Sequence, residues 1–150
     1  MQAANRLMLM GRKNALSFGA DLLSGLSWTA GASTTYSTAS GLARATDTVG
    51  GANPRITKGP ITITAGKTYK FGGSLYKRTN ISAVLRVHNA ITLAAGSFFD
   101  GGLQTSTVNY TGVTFLAVTS GTAYLGFVAT TSVQGDYGEI DEAFTLQESL

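Results

Sequence analysis

The feature that most restricts this chain is a rhythm of short apolar alternations, broken by turn residues about every ten positions. No segment sustains the 3.6-residue apolar period of an amphipathic helix. The clearest run is PITITAGKTYKFGGSLYK, residues 60–77. Ile61 and Ile63 alternate with Thr62 and Thr64, Ala65–Gly66–Lys67 supply a turn, and Tyr69, Phe71 and Leu75 resume the alternation. Pro60 suits a strand start, where its missing N–H costs little. ISAVLRVHN (81–89) sets Ile81, Ala83, Leu85 and Val87 on one face, and SFFDGG (97–102) reads as a short strand entering a glycine turn.

Three more strands are expected over 112–120, 122–130 and 138–147, the first two joined at Ser120–Gly121 by a link short enough for a hairpin. TAGASTTYSTASG (29–41) is either a loop or an exposed strand, and Pro54 marks a long connection over 47–55. Such a pattern predicts an all-β domain of two packed antiparallel sheets, with inward residues alternating against a Thr-rich exterior. The 150 residues suffice for one domain with its own core, taken as 18–150. Residues 1–17, MQAANRLMLMGRKNALS, differ in character and read as an extended N-terminal arm.

Charge is unevenly distributed. Residues 1–90 carry all eleven Lys and Arg and only Asp21 and Asp47, whereas residues 91–150 carry six acids and no Lys or Arg. The basic residues are scattered singly rather than interleaved with aromatics, so no nucleic-acid partner is expected. The asymmetry suits complementary contacts between copies of the chain. No stretch reaches the roughly 18 apolar residues of a membrane-spanning helix, and no membrane partner is expected. LMLM, flanked by Arg6 and by Arg12–Lys13, is too short for a signal-peptide core. Without cysteine there is no disulfide and no thiolate chemistry.

Catalytic constellations are sparse. His88 has no Asp or Glu beside it in sequence, and a base needs an orienting partner. Glu139 and Asp141 would share one strand face and point the same way. Glycoside hydrolysis needs two carboxylates opposed across the scissile bond. Neither a nucleophile elbow nor a metalloprotease or phosphate-loop motif occurs. The chain is therefore read as non-enzymatic. Most aromatics in strands serve packing. Tyr36 and Tyr137, among small or acidic turn residues, are the candidates for glycan contact. Asp21, in FGADLLSGLSWTAG, reads as the residue that fixes a turn ahead of Trp28.

Four segments, in order, resemble a module of bacteriophage virion proteins. NALSFGADLLSGLSWTAGAS is similar to its opening turn and Trp-Thr strand, and ITITAGKTYKFGGSLYK to its Thr-Ala-Gly-x-x-Tyr-x-Phe hairpin. SFFDGGLQTST resembles its Phe-Phe-Asp segment, and EAFTLQES its closing strand. The resemblance spans roughly residues 14–148 and implies a jelly-roll β-sandwich related to carbohydrate-binding modules. It also implies a capsid decoration or cement protein at the virion surface, with the major capsid protein or other virion proteins as partners. On that reading the arm docks on neighbouring subunits through Arg6, Leu7, Met8, Leu9, Met10, Arg12 and Lys13, and the protein is a homo-oligomer, a trimer being the expectation. A tail adaptor or fibre-attachment protein and a free carbohydrate-binding module for host glycans are the alternatives. In the carbohydrate-binding relatives a structural calcium is held at positions matched by Asp21 and Asp141, although GADLL here departs from the usual Asn-Gly-Asp-Phe.

Overall fold

A computed structural model describes residues 15–76, 78, 81–93, 98–130 and 133–150. The proposed docking residues Arg6, Leu7, Met8, Leu9, Met10, Arg12 and Lys13 lie outside them. The described chain forms β1 (Phe18–Asp21), β2 (Thr29–Ala30), β3 (Thr34–Ala39), β4 (Leu42–Asp47), β5 (Arg55–Ile63), β6 (Thr68–Gly72) and β7 (Ser74–Tyr76). It continues with β8 (Ser82–His88), β9 (Phe99–Asp100), β10 (Val108–Asn109), β11 (Thr114–Leu116), β12 (Gly121–Thr130), β13 (Tyr137–Asp141) and β14 (Thr145–Ser149). All pairings are antiparallel, in three sheets ordered β1-β14-β6-β11, β10-β7-β13-β4-β3 and β2-β5-β12-β8-β9. This is the all-β sandwich expected of a jelly roll.

The first two sheets act as halves of one layer. Three consecutive strand pairs (β6 and β7, β10 and β11, β13 and β14) pass from one half to the other. Gly73 makes the break between β6 and β7, at φ 125°. The third sheet forms the opposing layer. Between the layers Phe71 is the centre of an aromatic group. Its ring lies 4.7 Å from Phe99, 5.5 Å from Phe115 and 6.0 Å from both Tyr110 and Phe144. Leu85, Leu125, Phe127, Ile140 and Leu146 complete the core at 0% exposure. Burial of this area is the main favourable term for the fold.

Two expected hairpins are instead crossings between layers. β5 pairs with β2 and β12, while β6, after the Ala65–Gly66 turn, pairs with β14 and β11. β11 and β12, joined through Ser120, likewise sit in different sheets. Short links alone do not specify a hairpin, because a strand can turn over the core edge to the facing sheet. Here the Tyr69 hydroxyl accepts the Thr64 N–H at 2.7 Å and the Ala117 carbonyl accepts the Gly66 N–H, holding the corner closed. The expected single strand over 138–147 divides at the 142–144 turn into β13 and β14.

The open choice over 29–41 resolves into strands: β3 and β4 form a hairpin turning at Ser40 and Gly41, both with positive φ. In β5, Gly59–Pro60 puts two residues opposite Tyr124 alone, a bulge that turns Ile56 and Lys58 inward along with Ile61 and Ile63. Lys58, 8% exposed, donates to the Glu142 carbonyl at 3.2 Å, and its ammonium lies 5.0 Å from the centre of the Trp28 ring. Burial pushes its amine pKa down, and the nearby Asp21 and Glu142 charges oppose that shift.

Candidate functional site

Register defines an outward face on the β10-β7-β13-β4-β3 sheet. Residues directly opposite across a ladder share a face. Ser37 pairs Arg44, Arg44 pairs Glu139, and Glu139 pairs Tyr76, which makes one row across four strands. Tyr137 with Thr46, and Asp141 with Leu42, make the flanking rows. The alternate positions Ala43, Ala45, Gly138, Ile140 and Leu75 are buried in the core. Gly138 has no room for a side chain there, since a Cβ would lie 2.7 Å from Phe127.

At the centre of this face Glu139 is caged by two guanidinium groups. Arg44 donates to Oε1 through Nε at 2.8 Å, with Nη2 at 2.7 Å, and Arg78 donates to Oε2 through Nε at 2.5 Å. The Glu139 side chain is 3% exposed, while those of Arg44 and Arg78 are 32% and 39% exposed. Burial alone would push the Glu139 carboxyl up; hydrogen bonds and charge from Arg78 and Arg44 outweigh it and hold the group below the usual carboxylate range. Arg44 also lies over the Tyr137 ring, 3.8 Å from its centre, and Arg78 over Tyr76 at 5.4 Å. The Tyr76 hydroxyl donates to Asp141 Oδ1 at 2.9 Å, and the Ser74 N–H donates to Oδ2 at 2.6 Å.

Above the cage a pocket of about 300 Å3 opens, walled by Leu42, Arg44, Arg78, Tyr137 and Glu139, with Ala39 and Ser40 at the β3–β4 turn. Glu139 fixes Arg44 and Arg78, and Arg44 packs on Tyr137, so the donors are oriented before any ligand arrives. That suits reversible binding of a small polar molecule, because little side-chain entropy remains to be lost.

Of the two tyrosines expected to contact glycan, Tyr137 lines this pocket. Tyr36 sits opposite Ala45, on the core-side face of the same sheet, and packs half-buried against the core. Tyr76, one of several tyrosines that the sequence offers as stacking platforms, lies beside the cage, whereas nothing in the sequence gives Arg44 or Arg78 a site role. The alternation of Arg44 between Ala43 and Ala45 is the one local signal of its outward position, and alanine makes it a faint one.

Asp21 and Asp141 are not brought together through any common partner. Asp21 Oδ1 accepts the N–H groups of Leu23, at 3.0 Å, and Leu146, at 2.9 Å, closing the turn after β1 and tying it to β14. Asp141 serves Ser74 and Tyr76 on the other half of the layer. Among the described residues no three His, Cys, Asp or Glu side chains converge, and calcium held by Asp21 or Asp141 would draw most of its six to eight oxygens from backbone carbonyls and water. His88, 8% exposed, accepts the Ala90 N–H at Nδ1 and so holds the turn after β8.

No protein-family model matches the chain, and no curated protein sequence does. Among solved structures, one described as "CBM4 structure and function" aligns over 82% of this chain and 92% of its own, with 18% identity and a TM-score of 0.55. Another, the TmCBM61 module in complex with β-1,4-galactotriose, aligns over 83% of this chain and 88% of its own, with 14% identity and a TM-score of 0.45. The likeness to the first establishes the carbohydrate-binding-module type of β-sandwich as the fold.

Proposed function

We propose that this chain is a non-catalytic glycan-binding module whose binding surface is the outward face of the β10-β7-β13-β4-β3 sheet. The observation that carries the reading is the pocket beside Tyr137, with two guanidinium groups held in place by one buried carboxylate. Sugars present hydroxyl groups to such donors and apolar C–H groups to Leu42 and to the part of the Tyr137 ring that Arg44 does not cover. The fold likeness to a carbohydrate-binding module supports the reading by analogy only. Glycosidic cleavage would need a protonated carboxyl as acid. Glu139, held ionised by two arginines and pointing the same way as Asp141, is unsuited to that role. A glycan array followed by titration calorimetry tests the proposal. Tyr137→Ala should weaken the best glycan at least about tenfold, roughly 1.4 kcal/mol, while the fold persists. Absence of any binding by the unaltered protein at millimolar sugar would reject the reading.

The setting we propose for this module is the virion, at the capsid surface or, alternatively, at a tail adaptor. The four ordered sequence segments of the virion module support it, and so does the basic-apolar arm from Arg6 to Lys13. Deleting residues 1–13 is expected to abolish incorporation into particles and leave a folded sandwich, as read by particle gel analysis and circular dichroism. Full occupancy by the truncated protein would remove the arm from this scheme.

A further inference from the structure

The charge arrangement in the pocket goes one step further than glycan binding, on which this inference rests. The walls hold two cations and one anion, and these are separated in depth. The Glu139 carboxylate lies beneath, 3% exposed, and the guanidinium groups of Arg44 and Arg78 lie above it, each about a third exposed. What a ligand meets is therefore positive. A guanidinium has five N–H donors. Glu139 engages two nitrogens of Arg44 and one of Arg78, a minority of what the pair can offer. Asp141, the other acid on this face, does not line the pocket, and both its oxygens accept protein hydrogen bonds.

We infer that the pocket selects an acidic saccharide, one whose carboxylate or sulfate seats against Arg44 and Arg78 while the sugar ring lies along Tyr137 and Leu42. A planar guanidinium fork binds such oxyanions through paired N–H donors more strongly than it binds neutral hydroxyls. The buried Glu139 keeps both forks in place and limits the repulsion between them, so the site is preformed for the anion.

The test compares each ligand with its own neutral form. Hexasaccharides of hyaluronan, alginate and polygalacturonate are titrated into the full chain beside their carboxyl-reduced derivatives, and a carboxyl-reduced chondroitin sulfate supplies sulfate alone. At least one acidic form should bind about tenfold or more tightly than its reduced counterpart, with the gap narrowing as salt rises. Binding by the sulfate-only ligand with none by the uronates would assign the anion as sulfate. Arg78→Gln should weaken the acidic form far more than the neutral one, and Arg78→Lys should retain part of the gap; thermal melts verify that both variants fold. Equal or tighter binding of neutral forms, or binding confined to neutral glycans on the array, overturns the inference and leaves the glycan-binding reading standing. No binding to acidic or neutral glycans overturns both.

Discussion

Gly73→Ala is expected to destabilise the protein by about 2–4 kcal/mol, because backbone strain and overpacking coincide at that position. Gly73 sits at φ 125°, where a side chain is strained, and a Cβ built there would lie 2.6 Å from the Phe144 ring and 3.1 Å from Asp141 Oδ2. Phe144 is fully buried against Phe71 and Tyr110, so it has little freedom to retreat. The same substitution disturbs the site, since Asp141 Oδ2 holds the Ser74 N–H next to the break and Tyr76 lies two residues further on. Urea denaturation measures the loss. Gly66→Ala supplies the comparison: its φ is 83°, but nothing lies within 4 Å of a Cβ there, so only conformational strain of about 1 kcal/mol is expected. Equal losses at the two glycines would refute the crowding argument at Gly73.

This glycine also shows where the sequence was legible. GGS between TYKF and LYK reads as continued alternation, and in outline that is right: Tyr69, Phe71 and Leu75 are all buried. What period-two patterning does not carry is the passage of one alternating run from one half-layer to the other at a single residue. The same limit explains the two mistaken hairpins. A turn of two or three residues fits either a hairpin or a corner, and the choice is made by distant partners such as Ala117 and Ser149. Alternation built on alanine was the weaker signal. Ala43 and Ala45 are fully buried, yet within SGLARATD they carry too little apolar contrast to announce a strand.

The site was legible only in part for the same reason. Tyr137 could be named because it stands among turn residues, and the shared face of Glu139 and Asp141 follows from strand geometry. Arg44 and Arg78 meet Glu139 from 95 and 61 residues away, and no local pattern encodes such pairings. Lys58 was hidden by the bulge, which shifts its parity so that a charged residue points where an unbroken β5 would turn it outward.

Asp21→Ala is the second substitution of large expected effect, about 2–5 kcal/mol from leaving two buried amide groups without an acceptor. Leu23 and Leu146, whose N–H groups share Asp21 Oδ1, are themselves 1% and 0% exposed, so both amides rely on that oxygen as their acceptor. The substitution also removes one of the two negative charges that oppose the downward shift of Lys58. Asp21→Asn keeps a side-chain oxygen for both N–H groups and loses only the charge, so its loss should be less than half as large. Thermal melts in EDTA and in millimolar calcium separate hydrogen bonding from metal binding. If Asp21 works through its amide partners, the wild-type Tm is the same in both and the Asp21→Ala deficit persists in both. A wild-type Tm raised by calcium, with the increment lost in Asp21→Ala, would instead assign Asp21 to a metal site. Equal stability of Asp21→Ala and wild type in either condition would mean that the joint between β1 and β14 is held by the ladder alone.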